Sequence, residues 1–185
     1  MMGKKRKTRH WTIKELTMVG MLTAIMCISS YITIPLPFTE VGITAQTIVV
    51  NLVGMVLGPG NAAAVLFTWI LLGIVGLPVF SGGTGGAARL AGPTGGYIIG
   101  YLVSAVVIAW FCRKVKSLRL QLVFLIVAGI PVVYLFGGIW MKLSLHLPWQ
   151  AVLVQGVIPF IPTDIIKCFA AAALAKALRP VLQQK

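Results

Sequence analysis

The 185 residues are 58% hydrophobic and only 10% charged, with a mean hydropathy of +0.97. A soluble domain carries roughly 25% charged residues, so this chain lacks the polar atoms to coat a globule, and lipid is its natural solvent. The net charge of +13 does not indicate nucleic acid, because no basic face with interleaved aromatics accompanies it.

The chain opens with a basic segment, residues 1–14, holding Lys4, Lys5, Arg6, Lys7, Arg9 and Lys14. A membrane crossing needs about 20 apolar residues. Apolar stretches at 15–35, 43–58, 62–78, 94–112, 120–141 and 150–178 predict six crossings within one domain over 15–180, followed by a short tail at 181–185. After the first stretch comes Ile34-Pro35-Leu36-Pro37-Phe38, without a small-residue cleavage site, so it is expected to be a retained helix and not a signal peptide. The second and third stretches are separated by the turn sequence Gly58-Pro59-Gly60-Asn61.

Thirteen of the 16 Lys and Arg residues fall in three patches: the N-terminal six, four in Arg113 to Arg119, and Lys176, Arg179 and Lys185. Six crossings put both termini on one side, and loops rich in Lys and Arg stay cytoplasmic. With the N-terminus inside, all three patches lie inside and the loops at 36–42, 79–93 and 142–149 face out. An all-α integral membrane protein with both termini cytoplasmic is therefore expected. Cys27, Cys112 and Cys168 lie in apolar runs with no paired spacing and read as packing residues.

Polar groups inside a bilayer are expensive and each asks for a reason. The chain has three acidic residues. Glu15 lies at the start of the first stretch and Glu40 in the outer loop at 36–42, and both read as solvated charges, whereas Asp164 lies inside the last stretch, in Phe160-Ile161-Pro162-Thr163-Asp164-Ile165-Ile166-Lys167. A helix puts Asp164 and Lys167 on one face. Pro159 and Pro162 bend or break the helix just before them, freeing backbone groups that are tolerable only against protein or a cavity. The pair either neutralises itself or meets a ligand, and the two are compatible.

Eight of the 22 residues from Gly76 to Tyr97 are glycine, yet Leu77, Val79, Phe80 and Leu90 make the run more apolar than a loose connector. Glycines let backbone amides approach a ligand, so a folded lid over an outward-facing site is expected, with Arg89 either meeting a carboxylate or facing solvent. Gly-Lys-Ser/Thr is missing, which excludes a phosphate-binding P-loop. Gln46, near the start of the second stretch, is a ligand candidate. Thr44, Thr47 and Asn51 serve equally as interhelical hydrogen-bonding groups, and Tyr97 and Tyr101 share a helix face below the lid as packing or site aromatics. The five tryptophans read as anchors and packing. His10 and His146 are too few and too separated for a metal site, no nucleophile motif accompanies Asp164, and a binding protein without cofactor is expected rather than an enzyme.

Several of these segments together carry a family resemblance. Gly76-Leu77-Pro78-Val79-Phe80, Gly82-Gly83-Thr84-Gly85-Gly86 and Gly92-Pro93-Thr94-Gly95-Gly96-Tyr97 resemble the BioY family, as do Thr44-Ala45-Gln46-Thr47, Leu57-Gly58-Pro59 and the Phe160 to Lys167 segment, in the same order. These are biotin-specific S components of energy-coupling factor (ECF) importers of bacterial and archaeal cell membranes. The resemblance implies the six-helix S-component fold, with Asp164 and Lys167 holding biotin's fused ring head and the backbone around Gly83, Thr84 and Gly85 closing over it. Thr84 stands where relatives often carry Asn or Gly. The carboxylate of biotin would meet Arg89 or the amides of the glycine-rich loop. The resemblance further implies a transmembrane coupling (T) subunit and ATP-binding cassette ATPases as partners. Gly20 and Ala24 on the first helix would allow the close approach that coupling requires. An S component for thiamin or riboflavin, a scaffold or channel without ligand, and a homo-oligomer when the chain is alone remain alternatives.

Overall fold

The computed structural model describes residues 11–183, so the Lys4 to Arg9 cluster, His10 and Lys185 lie outside the described residues. Helix α1 (Ile13–Ser29) starts at a capping box: the Thr12 hydroxyl accepts from the Glu15 amide and the Glu15 carboxylate accepts from the Thr12 amide. Such a cap contributes about 0.5–2 kcal/mol. Glu15 also accepts a bond from Asn61 Nδ2 at 3.1 Å. The expectation of a merely solvated charge is thus corrected, because the carboxylate ties α1 to α3 (Pro59–Ile74).

After α1 a two-residue antiparallel ribbon, β1 (Thr33–Ile34) with β2 (Ile43–Thr44), pairs Thr33 with Thr44. It is a small departure from an all-helical chain. Helices α2 (Gln46–Val56) and α3 follow, then the glycine-rich loop with the short α4 (Ala88–Ala91), and α5 (Gly95–Lys114). From Leu118 to Leu145 the chain is helical throughout: α6 (Leu118–Phe124), a π turn (Leu125–Gly129) and α7 (Ile130–Leu145). Pro131 cannot donate to the ladder, and the π turn places the Gly129 carbonyl where Ser104 Oγ donates to it at 2.9 Å. The last stretch is α8 (Trp149–Gly156), a 3-10 turn (Ile158–Phe160) and α9 (Ile161–Gln183). The break falls at Val157 to Phe160, where the proline reading expected it.

Among the described residues, three helical stretches are long and apolar enough to cross a membrane: Gly95–Lys114, Leu118–Leu145 and Trp149–Pro180; α2 and α3 are shorter apolar helices. Helix α5 is the centre, packed on α7, α2 and α3, and α2 also packs on α9. Missing side chains permit the tight α5–α7 seam. A Cβ on Gly96 would lie 2.2 Å from the Trp140 Cβ, and one on Gly137 2.4 Å from the Tyr97 ring. Inside lie Met26, Leu66, Trp69, Ile108 and Met141, all below 2% exposed. Phe67, Leu71, Val127, Leu135, Ile166 and Phe169 are exposed. That apolar exterior is one a membrane protein turns to lipid.

Candidate functional site

The helix break at Val157 to Phe160 sets Asp164 in the first turn of α9, where unpaired amides and the helix dipole favour an anion. Lys167, one turn on, donates to Asp164 Oδ1 at 2.8 Å. Two neighbouring helices add donors: Thr47 of α2 reaches Oδ1 at 3.3 Å and Tyr134 of α7 reaches Oδ2 at 2.7 Å. A carboxylate offers about four acceptor positions, so three protein donors leave room for one more. The Lys167 ammonium makes a single bond to Asp164 among its three protons. Neither side chain is sealed: the exposures are 8% for Asp164 and 12% for Lys167.

Both line a narrow cleft, about 290 Å³ counted out to open solvent, with Thr44, Thr47, Tyr97, Tyr101, Tyr134 and Phe160. A second cavity, about 440 Å³ measured out to its open mouth, shares Val41, Gly42, Thr44, Tyr97 and Tyr101 with the first. The shared walls make one cleft with two unlike ends. One end carries Asp164, Lys167 and Tyr134; the other carries Gln46, Ser81, Thr84, Arg89 and Glu40. Midway, the Thr44 hydroxyl, buried and facing the Tyr101 phenol, has no partner in good hydrogen-bond geometry.

The glycine-rich loop is tied down from several sides. Phe80 and Thr84 exchange two backbone bonds, and Gly82 and Gly86 donate to the Ser30 and Gly73 carbonyls at 3.0 and 2.7 Å. The Val79 carbonyl accepts from Trp69 Nε1 at 2.8 Å and from Gln46 Nε2 at 3.3 Å. Phe80 stands edge-on to Trp69, 5.2 Å between ring centres. Gly82 and Gly83 have positive φ, 73° and 67°, which is why this turn requires glycine. Val79 and Phe80 are buried as the sequence reading expected, but Leu77 is exposed, because it sits at the turn after α3.

The structure brings Asp164, Lys167, Gln46, Thr84, Arg89 and Tyr97 to the cleft. Arg89 Nε donates to Thr84 Oγ1 at 2.9 Å, which fixes both at the mouth, and the Tyr97 hydroxyl donates to the Gly156 carbonyl, so that its ring forms a wall. Gly83 and Gly85 are not among the lining residues: Gly83 sits against Tyr31 and Gly85 against the Leu77 carbonyl. Gly20 and Ala24 are both exposed on α1, and neither lines the cleft. Tyr134 escaped the sequence reading. Its signal was a lone phenol in an apolar stretch, since a buried Tyr hydroxyl needs a partner. Glu40, read as solvated, is exposed but lines the mouth. The arrangement suits an elongated guest with a neutral hydrogen-bonding head and an anionic tail.

Comparison with known proteins shows the family. A model described as the BioY family matches residues 3–184. The biotin transporter BioY of Thermotoga maritima is 36% identical over 167 residues, covering 90% of this chain and 96% of the relative. Biotin transporter BioY2 of Lactococcus lactis subsp. cremoris is 32% identical over 164 residues, covering 89% of each. Among solved structures, the S-component for biotin from an ECF-type ABC transporter superposes with a TM-score of 0.85 at 30% identity, covering 91% of this chain and 92% of that one.

Proposed function

The chain belongs to the BioY family, and from that premise we propose that it is the biotin-capturing S component of an ECF-type importer. Its work is binding and release, not catalysis. The observation that carries the reading is the two-ended cleft: an acid–base couple joined, past aromatic walls, to a guanidinium.

Biotin's ring head carries two ureido N–H donors and one carbonyl. Asp164 has an acceptor position to spare, and Lys167 has protons to offer that carbonyl. Tyr97, Tyr101 and Phe160 supply apolar surface for the thioether ring. The tail then extends to Arg89, Thr84 and Ser81. Here the glycine-rich loop acts as the lid, with Gly83 and Gly85 shaping its turn. Arg89→Met is expected to weaken biotin by about 10- to 100-fold, the worth of a charged hydrogen bond. It should leave biotin amide, which has no carboxylate, nearly unchanged. Titration of both ligands checks this, and an equal loss for both would count against Arg89 as the tail's partner.

Six crossings in the cell membrane of a bacterium or archaeon complete the proposal. Helices within all six expected stretches support it. With both termini in the cytoplasm, the basic residues between Arg113 and Arg119 and those near the end of α9 lie inside, and the cleft opens outward. Transport energy comes from ATPases joined through a coupling subunit. Gly20 and Ala24 are exposed, and a Cβ on Gly20 would touch nothing, which leaves this face of α1 free for that subunit. Gly20→Leu with Ala24→Leu is expected to keep biotin binding within about twofold, as surface changes do, while uptake by the assembled importer falls to background. Uptake that persists would remove this face from the coupling surface.

The test of the reading is a competition panel on purified protein: unlabelled biotin should displace labelled biotin, and thiamin and riboflavin should not. Displacement by another vitamin, or no saturable biotin binding, would overturn it.

A further inference from the structure

At the end of the bundle away from the cleft lies an open cavity of about 1170 Å³ that biotin capture does not use. Its walls are Met18, Met55, Val56, Leu57 and Cys112, and its cations are Arg113, Lys116 and Arg179. Helix α5 carries Tyr97 near one end and Arg113 near the other, about 24 Å apart at 1.5 Å per residue. We infer that this cavity holds the phosphate headgroup of an anionic lipid, with Arg113, Lys116 and Arg179 around the phosphate and an acyl chain along the Met18 side.

Charge is the first argument. Helices α2 and α5 both end here, and bare helix C-termini repel anions. Three carbonyls at these ends are already occupied: Arg179 donates to the Met55 carbonyl at 3.0 Å, and Gln121, buried, donates to the carbonyls of Cys112 and Val115. Arg179 also donates to Gln121 Oε1, so the guanidinium is held half-buried at the base. Arg113 and Lys116 stand exposed on the rim. Among the described residues no carboxylate lines the cavity; Glu15 caps α1 and accepts from Asn61. Three cations therefore face the cavity without a counter-charge in its walls.

Depth is the second. Lys114 lies 3.7 Å above the centre of the Trp110 ring, and Trp110 is 55% exposed. An exposed Trp–Lys couple at a helix end marks the membrane–water boundary. Arg113 and Lys116 flank Lys114 in sequence, so the cavity sits at headgroup level. Its mixture of cations and apolar walls fits an amphiphile better than a free ion. The inference rests on the chain lying in a membrane and not on its binding biotin.

The test is native mass spectrometry of delipidated protein with added phosphatidylglycerol, phosphatidylcholine or inorganic phosphate. One phosphatidylglycerol should be retained in preference to phosphatidylcholine. Arg113→Gln with Lys116→Gln should weaken retention by about 30-fold, from two basic residues at a membrane surface. Arg119→Gln with Lys176→Gln removes the same charge from exposed positions outside the cavity and should change retention by less than twofold. Thermal unfolding checks that both variants are folded; should the first be unfolded, Lys116→Gln alone makes the comparison. Equal losses in the two variants, equal retention of phosphatidylcholine, or displacement of the lipid by inorganic phosphate at equal concentration would each overturn the assignment.

Discussion

Asp164→Asn is expected to weaken biotin binding by about 100-fold, the upper range for losing a hydrogen bond to a charged group. The substitution keeps the shape of the side chain. It removes the charge that holds Lys167 at 2.8 Å, and it turns one acceptor into a donor facing Thr47, Lys167 or Tyr134. A structural role alone would also predict some loss, through destabilisation, so a second variant separates the two. Asp164→Asn with Lys167→Met leaves no unpaired charge, and its thermal stability should recover toward that of the unmodified chain. Its biotin affinity should not recover. If both return together, the pair serves the fold and not the ligand. Tyr134→Phe keeps both charges and removes one bond to Oδ2; a loss of about tenfold is expected from a hydrogen bond to a charged group.

The second large effect concerns the seat of the glycine-rich loop. Gly73 faces the Phe80 ring so closely that a Cβ would lie 2.0 Å from the ring tip. Phe80 cannot easily retreat, because it is 2% exposed and stands edge-on to Trp69. Gly73 also accepts the Gly86 amide through its carbonyl. Gly73→Ala should therefore push Phe80, and with it the 80–84 turn, off the mouth of the cleft. Overpacking of this kind costs about 1–3 kcal/mol, or roughly 5- to 150-fold in affinity if the cost falls on the closed state. The loss should be read in a faster biotin off-rate. Gly73→Ala with Phe80→Leu reopens the space, and its off-rate should lie nearer the unmodified value than that of Gly73→Ala alone. Additive losses in the double variant would mean that Phe80 is not what the new methyl displaces.

Much of this was legible in the residues. Asp164 and Lys167 were found because charge in an apolar stretch is rare and their spacing is helical, and the two prolines before them located the break in the last stretch. The glycine run was legible as a folded segment through Val79 and Phe80. Less legible was anything that depends on which helices meet. Tyr134 lies 30 residues from Asp164 and Thr47 lies 117 away, and no local pattern in an apolar helix says that its one phenol faces a carboxylate. Gln46 is legible as a polar group, but its bond to the Val79 carbonyl makes it a clamp on the loop as well as a wall of the cleft. The role of Glu15 is hidden from the sequence for the same reason: its partner Asn61 is on another helix. Gly83 and Gly85 were placed by motif, whereas positive φ and close packing explain glycine there without contact to the cleft.

The central claim is that the ring of biotin sits against the Asp164–Lys167 pair with its tail toward Arg89. The most direct measurement is a crystal structure of the protein with biotin bound. The account predicts a ureido nitrogen within hydrogen-bond distance of an Asp164 oxygen and the carboxylate near Arg89 and Thr84. Biotin bound elsewhere, or lying with its carboxylate against Lys167, would contradict it.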